Sequence, residues 1–461
     1  MKPHSSDKWS RISALRPARP GAQRPATLRA PQETDALAQL IGAGVAKNRY
    51  GEHLAVRNWF STPEFAEASP VALELLSRGR DASLSRRMCA ALEDPARWLF
   101  LDTETTGLAG GTGTYAFLAG IAWWDAGGLQ VEQFFMRDFG EEHSLLHELS
   151  SRIAERPVLI TFNGKSFDWP LLENRFTLTR AISVPRLAAH LDLLHPARAL
   201  WKLRLGSVRL VELERRVLDA PRLGWHRDND VQSALIPQFY FDYLRGGPVE
   251  PLAGVVRHNQ MDLRGLAALL GRISALLADG QPRAESSEEA LDLFGLSRFL
   301  HRRGERIRAQ AACEKALDAG LPAAFRPQAS RELAVLARRQ GDHARAAALW
   351  EELLSHPDDA LSACEQLAIH HERRARDLAR AAEFTRLGLK KLRLLRTRPE
   401  NPLTVGRFVR LEEKFQNRLT RLEHRLRVQA GATEARGDRM AAPPRRSHPC
   451  SRTRGQSFRA S

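Results

Sequence analysis

The chain has few cysteines and no long apolar run. Its four cysteines lie far apart and form no CxxC pair, which fits neither a disulfide framework nor a cysteine zinc site. No run reaches the roughly 18 to 20 apolar residues that cross a bilayer, and residues 1–31 hold scattered arginines and prolines in place of a signal-peptide core. These features predict a cytoplasmic protein with reduced thiols and no membrane partner.

Acidic residues are in the minority, with 54 Asp and Glu against 70 Lys and Arg, a formal net charge of +16. Residues 1–31 carry seven basic residues against one acid, and residues 427–461 carry eight arginines against two acids. Both ends are rich in Pro, Gly, Ser and Ala, so they bury too little apolar surface to offset the cost of ordering. We predict disordered basic tails at residues 1–34 and 429–461, which add salt-sensitive affinity for phosphates or have no role.

A chain of 461 residues, 43 % of them hydrophobic, is long enough for two or three compact units. Changes in composition along the chain set the predicted boundaries. Between the two tails we predict a helical preamble at residues 35–95, a mixed α/β domain at 96–282 and an all-α helical-repeat domain at 283–428.

Aromatic and β-rich runs separated by glycine-bearing turns predict three consecutive strands in the α/β domain. An amphipathic helix and a short apolar run follow, and we interpret the run as a fourth strand buried beneath helices. The order predicts a mixed sheet, three antiparallel strands and then parallel pairing, with alternating helices to about Ala278. The predicted elements are strands Arg97–Glu104, Thr114–Trp124 and Leu129–Asp138, helix Glu141–Glu155, and strand Val158–Asn163.

The helical region contains a repeat. Residues 302–317 realign with residues 339–354 at an offset of 37 residues, which places Gly304 on Gly341. In a weaker third copy Arg376 replaces the glycine. Periods near 34 residues with small alanines at helix contacts resemble tetratricopeptide repeats, whose usual role predicts a protein partner.

Two acids stand out in the sequence LDTETTG. Asp102 and Glu104 lie two apart on a predicted strand, so both side chains leave the same face of the sheet. Adjacent like charges are costly unless a cation neutralises them, and hard oxygen ligands suit Mg²⁺ or Mn²⁺. A solvated strand end is the alternative explanation of this pair taken alone.

Two further elements carry acids. In TFNGKSFDWPLL the fourth strand ends, glycine turns the chain, and Asp168 begins a helix, where its carboxylate can face the same end of the sheet as Asp102. In HNQMD, His258 and Asp262 lie four apart and so share one face of a helix. A histidine hydrogen-bonded within its helix is the alternative for His258 taken alone.

In this order the three elements resemble the motifs of the DEDD 3'-to-5' exonuclease superfamily, and in particular its YprB-type ribonuclease H-like branch, from about Asn48 to Leu277. The resemblance implies a ribonuclease H-like fold with four metal-binding acids and a histidine, His258, that orients or deprotonates the attacking water. One departure is that three residues separate His258 from Asp262, where the histidine subgroup has four. The implied metal ligands are Asp102, Glu104, Asp168 and Asp262.

The implied mechanism uses two Mg²⁺ or Mn²⁺ ions about 3.5 to 4 Å apart, bridged by Asp102. Glu104 and Asp262 complete the first site and Asp168 contributes to the second. A near-neutral pKa would suit His258 to proton removal at pH 7. Before Asp168, residues Asn163 and Lys165 are expected to contact the substrate, and Asp192 in HLDLL is expected to support the site without binding metal.

The main hypothesis is therefore a 3'-to-5' exonuclease acting on RNA or DNA. The alternative is an inactive ribonuclease H-like protein that binds nucleic acid or acts as a scaffold through its helical repeats. Acids at all four motif positions favour the enzyme, because a decayed site is expected to lose at least one of them.

Overall fold

The computed structural model describes residues 31–61, 70–77, 86, 88, 90–107, 113–278, 287–396 and 404–441. The chain divides into two compact units, Met1–Arg283 and Ala284–Ser461. The predicted tail at residues 1–34 lies outside the described residues, apart from the start of a first helix. Among the described residues no helix combines the length and apolar character needed to cross a membrane.

A seven-stranded mixed sheet organises the described part of the first unit. Its strands are β1 (Gly44–Asn48), β2 (Gly51–Ser61), β3 (Trp98–Thr105), β4 (Ala116–Asp125), β5 (Gly128–Phe135), β6 (Val158–Thr161) and β7 (Ala189–Asp192). Across the sheet the order is β1-β2-β5-β4-β3-β6-β7. Pairing is antiparallel from β1 to β3 and parallel for β3 with β6 and β6 with β7. The predicted meander and the parallel pairing after it are confirmed.

The prediction of a helical preamble at residues 35–95 is wrong in part, because the segment contains two strands. Helix α1 (Pro31–Ile41) is followed by β1 and β2, and only then by helix α2 (Pro70–Ser77). Along β2 more buried positions, such as Leu54 and Val56, alternate with more exposed ones. The strand extends the meander by pairing with β5. Its residues HLAVRNWF include the β-branched Val56 and the aromatic Trp59 and Phe60, types that favour strands, but they lie between segments with helical patterns.

Helices follow the meander and the parallel strands. They are α3 (Glu142–Glu155), α4 (Asp168–Thr179), α5 (Leu194–Leu205), α6 (Leu210–Leu213), α7 (Ile236–Leu244) and α8 (Glu250–Ala278). α8 contacts β3, β4 and β5, so its side chains lie over the strand that carries Asp102 and Glu104. Phe117 of β4 stacks on Tyr240 of α7 at 4.1 Å between ring centroids, which fixes α7 against the centre of the sheet.

The described part of the second unit is helical, as predicted. Its helices are α9 (Ser287–Arg302), α10 (Arg306–Asp318), α11 (Arg326–Gln340), α12 (His343–Leu353), α13 (Ala360–His370), α14 (Leu378–Arg396) and α15 (Val405–Ala441). Consecutive helices pack as the pairs α9 with α10, α11 with α12 and α13 with α14.

The sequence repeat coincides with these pairs. Gly304 and Gly341 both have left-handed backbone, with φ of 86° and 92°, just after the first helix of their pairs. In the third copy Arg376 adopts φ 55° at the corresponding place, following a wide π-type turn at His371–Ala375. The next acid caps the second helix in two copies, since Asp342 accepts from the backbone N–H of Arg345 and Asp377 from that of Arg380. A residue with left-handed backbone after the first helix is thus common to all three turns.

Helix α15 continues to Ala441, so the prediction of a tail from residue 429 is wrong for residues 429–441. Residues 429–441 contain alanine, glutamate, arginine and methionine, which are good helix formers and extend an existing helix at little cost. The prediction rested on the Pro, Gly, Ser and Ala content of the whole stretch 427–461, which masked the helix formers at its start. Residues 442–461 lie outside the described part of the chain.

Candidate active site

The carboxyl end of β3 carries the first two acids of the site. Asp102 and Glu104 lie on one face of the sheet, and both are partly buried. A register shift between Glu104 and Thr105 interrupts the pairing with β4, an irregularity that bends a strand end and re-aims its side chains. The two carboxylates are therefore presented at an irregular strand end that solvent reaches.

Two linked amide side chains, those of Asn259 and Gln133, orient Asp102. Asn259 of α8 donates from Nδ2 to the Asp102 carboxylate at 2.8 Å, and its own carbonyl accepts from Gln133 Nε2 of β5 at 2.8 Å. Gly120, which pairs with Asp102 across β3 and β4, leaves room for the amide, because an added Cβ would lie 2.0 Å from Asn259 Oδ1. The strand, the helix and the missing side chain together hold the Asp102 carboxylate in place.

Asp168 begins α4 and joins the same cluster. Its side chain is buried and accepts from Thr103 Oγ1 at 2.6 Å. Thr103 lies between Asp102 and Glu104 on β3, so this hydrogen bond ties the start of α4 to the strand. The sequence-based expectation that Asp168 faces the end of the sheet that carries Asp102 matches this geometry.

The turn after β6 is shaped by Asp192. Its carboxylate accepts from the backbone N–H groups of Asn163 at 2.8 Å, Lys165 at 3.1 Å and Leu194 at 3.0 Å. Asn163 adopts left-handed backbone with φ 69°, a conformation that asparagine tolerates better than most residues. The hydrogen bonds of Asp192 shape the turn before Asp168. This is the supporting role expected of Asp192.

The two residues expected to contact substrate lie on this turn. The side chains of Asn163 and Lys165 are exposed, and neither belongs to the hydrogen-bond network that links the acids. Burial of part of the lysine chain lowers the pKa of Lys165, against the charge of Asp192. Their position beside the acids is compatible with phosphate contact.

His258 and Asp262 lie on the face of α8 that meets β3. His258 Nδ1 is 2.8 Å from both carboxylate oxygens of Asp230, and its Nε2 is 3.5 Å from the Asp262 carboxylate. One ligand atom from each of Glu104, His258 and Asp262 falls within 4.8 Å of the others. The histidine is thus held on one side by a carboxylate and faces the acids on the other.

Arg227 links three acids around this histidine. Its guanidinium makes a two-pronged pair with the buried Glu214, at 2.5 and 2.7 Å. It also contacts Asp230 at 2.8 Å and forms a short ion pair with Asp262. Because Glu214 is buried, its carboxylate depends on this arginine for compensation.

We expect Arg227→Met to lower the free energy of unfolding of the first unit by about 3 to 5 kcal/mol, because it leaves the Glu214 carboxylate buried without its partner. Urea unfolding in EDTA, followed by tryptophan fluorescence, measures the change. The double variant Glu214→Gln/Arg227→Met removes both charges and should lose less. Equal stability of Arg227→Met and the wild type would contradict the assignment of a buried ion pair.

Asp102, Glu104 and Asp168 have raised pKa values in the protein alone. Burial is the main cause for each, and it raises the pKa of Asp168 to about 6. The pKa of Glu104 rises to about 8, where burial and the charges of Asp262 and Asp168 outweigh the opposing charge of His258. Burial and the charges of Asp262, Glu104 and Asp168 raise the pKa of Asp102 well above its usual range. Four neighbouring carboxylates therefore repel one another when ionised.

The expected near-neutral pKa of His258 is wrong for the protein alone. Burial would lower this pKa, but the hydrogen bond to Asp230 and the charges of Asp262 and Glu104 raise it to about 9. The pKa of Asp230 is lowered, because the hydrogen bonds from His258 and Arg227 outweigh its burial. A divalent cation among the same acids would repel the imidazolium and lower its pKa again.

The residues fit a divalent metal centre. Carboxylate oxygens are the ligands that Mg²⁺ and Mn²⁺ prefer, and partly or fully buried acids with raised pKa values are the groups that a cation would stabilise. Ligand atoms of Glu104, His258 and Asp262 lie within 4.8 Å of one another. Asp102 and Asp168 are close enough for their charges to act on these acids.

The residues that hold the site from outside were not among those predicted from the sequence. Asn259 lies inside the HNQMD motif and could have been found from its place one residue after His258. Arg227 and Asp230 lie in a stretch without regular structure between α6 and α7, where neither spacing nor periodicity marks a residue. Only the fold brings them to His258.

Comparisons with known proteins agree with this geometry. Residues 99–274 match the family model described as the RNase_H superfamily, so the chain carries a ribonuclease H-like domain. The chain is also similar to the uncharacterized protein YprB of Bacillus subtilis (strain 168), with 29 % identity over 349 residues, 75 % of this chain and 81 % of the relative. The resemblance to YprB-type ribonuclease H-like proteins is thereby confirmed. A ribonuclease H-like domain points to a nuclease with a nucleic-acid substrate.

Proposed function

We propose that the first unit is a divalent-metal-dependent 3'-to-5' exonuclease that hydrolyses phosphodiester bonds of RNA or DNA. The observation that carries the proposal is the convergence of Asp102, Glu104, Asp168 and Asp262. Burial raises the pKa values of the first three, and the charges of the neighbouring acids raise those of Asp102 and Glu104 further. The repulsion within such a cluster lowers the stability of the metal-free protein, and a bound cation would offset it. The DEDD-type motif order supports the direction of cleavage.

Each acid has a place in this proposal. Asp102 lies at the centre, because its carboxylate interacts with those of Asp262, Glu104 and Asp168, which suits it to bridge two Mg²⁺ or Mn²⁺ ions. Glu104 and Asp262 would hold one ion and Asp168 the other. When bound, such ions neutralise charge on the phosphodiester and activate water.

The residues of the chain orient the reactants and move the proton. Asn259 fixes the Asp102 carboxylate, and Thr103 fixes that of Asp168. His258 is in place to take a proton at Nε2, since Asp230 holds the opposite ring nitrogen, and a carboxylate behind an imidazole stabilises the charge that the ring gains. The exposed Asn163 and Lys165 would contact the substrate backbone.

The test is a cleavage assay with the purified full-length protein. Single-stranded and duplex RNA and DNA, labelled at the 5' end, are incubated with Mg²⁺, Mn²⁺ or EDTA. We expect a ladder of labelled products that shortens with time when either metal is present and no product in EDTA. A circular single strand of the same sequence is the control, and it should resist cleavage.

Products from the circular substrate would make the enzyme an endonuclease. A release of the labelled 5' nucleotide first would reverse the direction of attack. If none of the substrates is cut with either metal, the domain is inactive and the scaffold alternative takes its place.

A further inference from the structure

The second unit contains a basic groove that the sequence repeat did not reveal. It is a cavity of about 260 Å³, lined mainly by α11, α12 and α13 and by the turn after α13. We define the basic groove by Arg338, His343, Trp350, His370, Arg373 and Arg374. No Asp or Glu is among the described residues that line it, so every charged side chain in this lining is basic.

The arginines of the basic groove are placed to bind an anionic ligand. Arg338, Arg373 and Arg374 are exposed. Arg338 donates to the neutral amide of Gln366 at 2.8 Å, a contact that leaves its charge uncompensated. Burial and the charges of the neighbouring histidines lower the pKa of His370, so the three guanidinium groups supply the charge near neutral pH.

The wide turn at His371–Ala375 explains why these side chains face outward. Its acid, Glu372, is buried and accepts from Arg421 at 2.9 Å and Arg425 at 3.2 Å, both on α15. The carboxylate that adjoins Arg373 and Arg374 in sequence is thus engaged by other arginines. Arg373 and Arg374 remain exposed on the same turn, and the charge of Arg373 also contributes to lowering the pKa of Arg418, after burial.

Charge is distributed unevenly between the two parts of the chain. Residues 287–427 contain 28 Lys and Arg against 20 Asp and Glu, whereas residues 32–286 contain 28 against 31. The helical unit is therefore basic without its terminal tail, while the unit with the acid cluster is slightly acidic. The groove arginines lie at defined places on the surface of the helical unit.

We propose that the basic groove binds the phosphodiester backbone of single-stranded nucleic acid, which makes the helical unit a second binding site for the polymer that the first unit cleaves. The proposal rests on the proposed function for the identity of the polyanion. Guanidinium groups pair with phosphate oxygens through two parallel hydrogen bonds. Two sites for one polymer on the same chain also raise its effective concentration at each.

The experiment measures binding without cleavage. Fluorescence anisotropy of a short labelled single-stranded RNA, and of the matching DNA, is followed in EDTA with the full-length protein and the variant Arg373→Ala/Arg374→Ala. We expect the variant to bind about 10-fold or more weakly near 50 mM salt, with a salt dependence reduced by roughly one unit of slope per arginine. With Mg²⁺, its KM should rise while kcat stays unchanged.

The matched control is Arg302→Ala/Arg306→Ala. Both arginines are exposed, lie in the same unit and do not line the basic groove, so the control loses the same charge and should keep wild-type affinity and salt slope. Circular dichroism melting checks that each variant is folded. A groove variant that unfolds is replaced by Arg373→Lys/Arg374→Lys, which keeps the charge and loses the planar fork, and which should bind at an intermediate level.

The outcomes separate this proposal from the proposed function. If the groove variant binds and cleaves like the wild type, the groove has no role in nucleic-acid binding, while the nuclease stands. If no metal activates the wild type but the groove variant still loses oligonucleotide binding, the nuclease fails and the groove stands. Equal binding of a labelled glutamate-rich peptide and the oligonucleotide, both lost in the groove variant, would make an acidic protein the occupant and overturn the proposal.

Discussion

We expect Asp102→Asn to abolish metal-dependent cleavage and to leave the metal-free protein at least as stable as the wild type. The change removes a charge from four neighbouring carboxylates while it keeps the shape of the side chain and an acceptor for the Asn259 amide. The loss of rate should exceed about 10²-fold, since even residues that only orient metal ligands contribute 10- to 100-fold. Initial rates with Mn²⁺ and melting temperatures in EDTA measure the two effects.

Added metal should separate the variant from the wild type. A cation bound only by the folded protein adds about 2.7 kcal/mol to stability at 100 times its Kd, and this gain should be much smaller in Asp102→Asn. The control is Asp125→Asn, the same chemical change at an exposed aspartate at the end of β4, which should leave rate and metal response intact. Wild-type cleavage by Asp102→Asn would remove this residue from the metal site.

The stability of the metal-free protein should fall as pH rises. Glu104 and Asp168 have pKa values raised to about 8 and about 6, so the folded protein retains protons that the unfolded chain has released above about pH 4. The raised pKa of His258 acts in the same direction, because its contribution is complete below 6.5 and is lost through about pH 9. Saturating Mn²⁺ should flatten this dependence, and Asp102→Asn should weaken it.

The second large effect is expected at His258. His258→Ala should cleave about 10²- to 10⁴-fold more slowly, the usual contribution of a general base, while Mn²⁺ still raises its melting temperature. Single-turnover rates and melting curves with and without metal measure both. Because the ligand atoms of Glu104, His258 and Asp262 lie within 4.8 Å of one another, loss of the metal-induced stabilisation would instead make His258 a ligand.

Asp230 provides the companion variant. Asp230→Asn removes the carboxylate behind His258 Nδ1, and we expect a loss of about 10- to 100-fold in rate with metal binding retained. The control is Asp228→Asn, which makes the same change at an exposed acid two residues away. Equal rates in Asp230→Asn and Asp228→Asn would show that the carboxylate behind His258 has no part in catalysis.

Local patterns predicted much of the site. Asp102 and Glu104 were recognisable because the side-chain period of a strand places alternate residues on one face. His258 and Asp262 were recognisable because residues four apart meet on a helix. Asp168 required the additional inference that the strand before it ends at the same edge of the sheet, and the geometry of β6 and α4 agrees with that inference.

Other elements were not predictable in the same way. β1 and β2 are edge and near-edge strands whose alternating pattern was read as part of a helical region, and they become strands because β5 offers an edge to pair with. β7 has four residues, too short for a periodic signal. For β2 and β7 the partner strand, distant in sequence, decides the structure.

By itself the sequence indicated the class of the first unit and its candidate acids through the resemblance of its motifs to DEDD exonucleases. It indicated the helical nature of the second unit through periodicity within short segments. Only the tertiary structure decided how the charges are compensated. It set Arg227 among Glu214, Asp230 and Asp262, raised the pKa of His258 and opened the basic groove at Arg373 and Arg374. The physical reason is that burial and charge pairing act through space between residues far apart in the chain, and no local pattern records them.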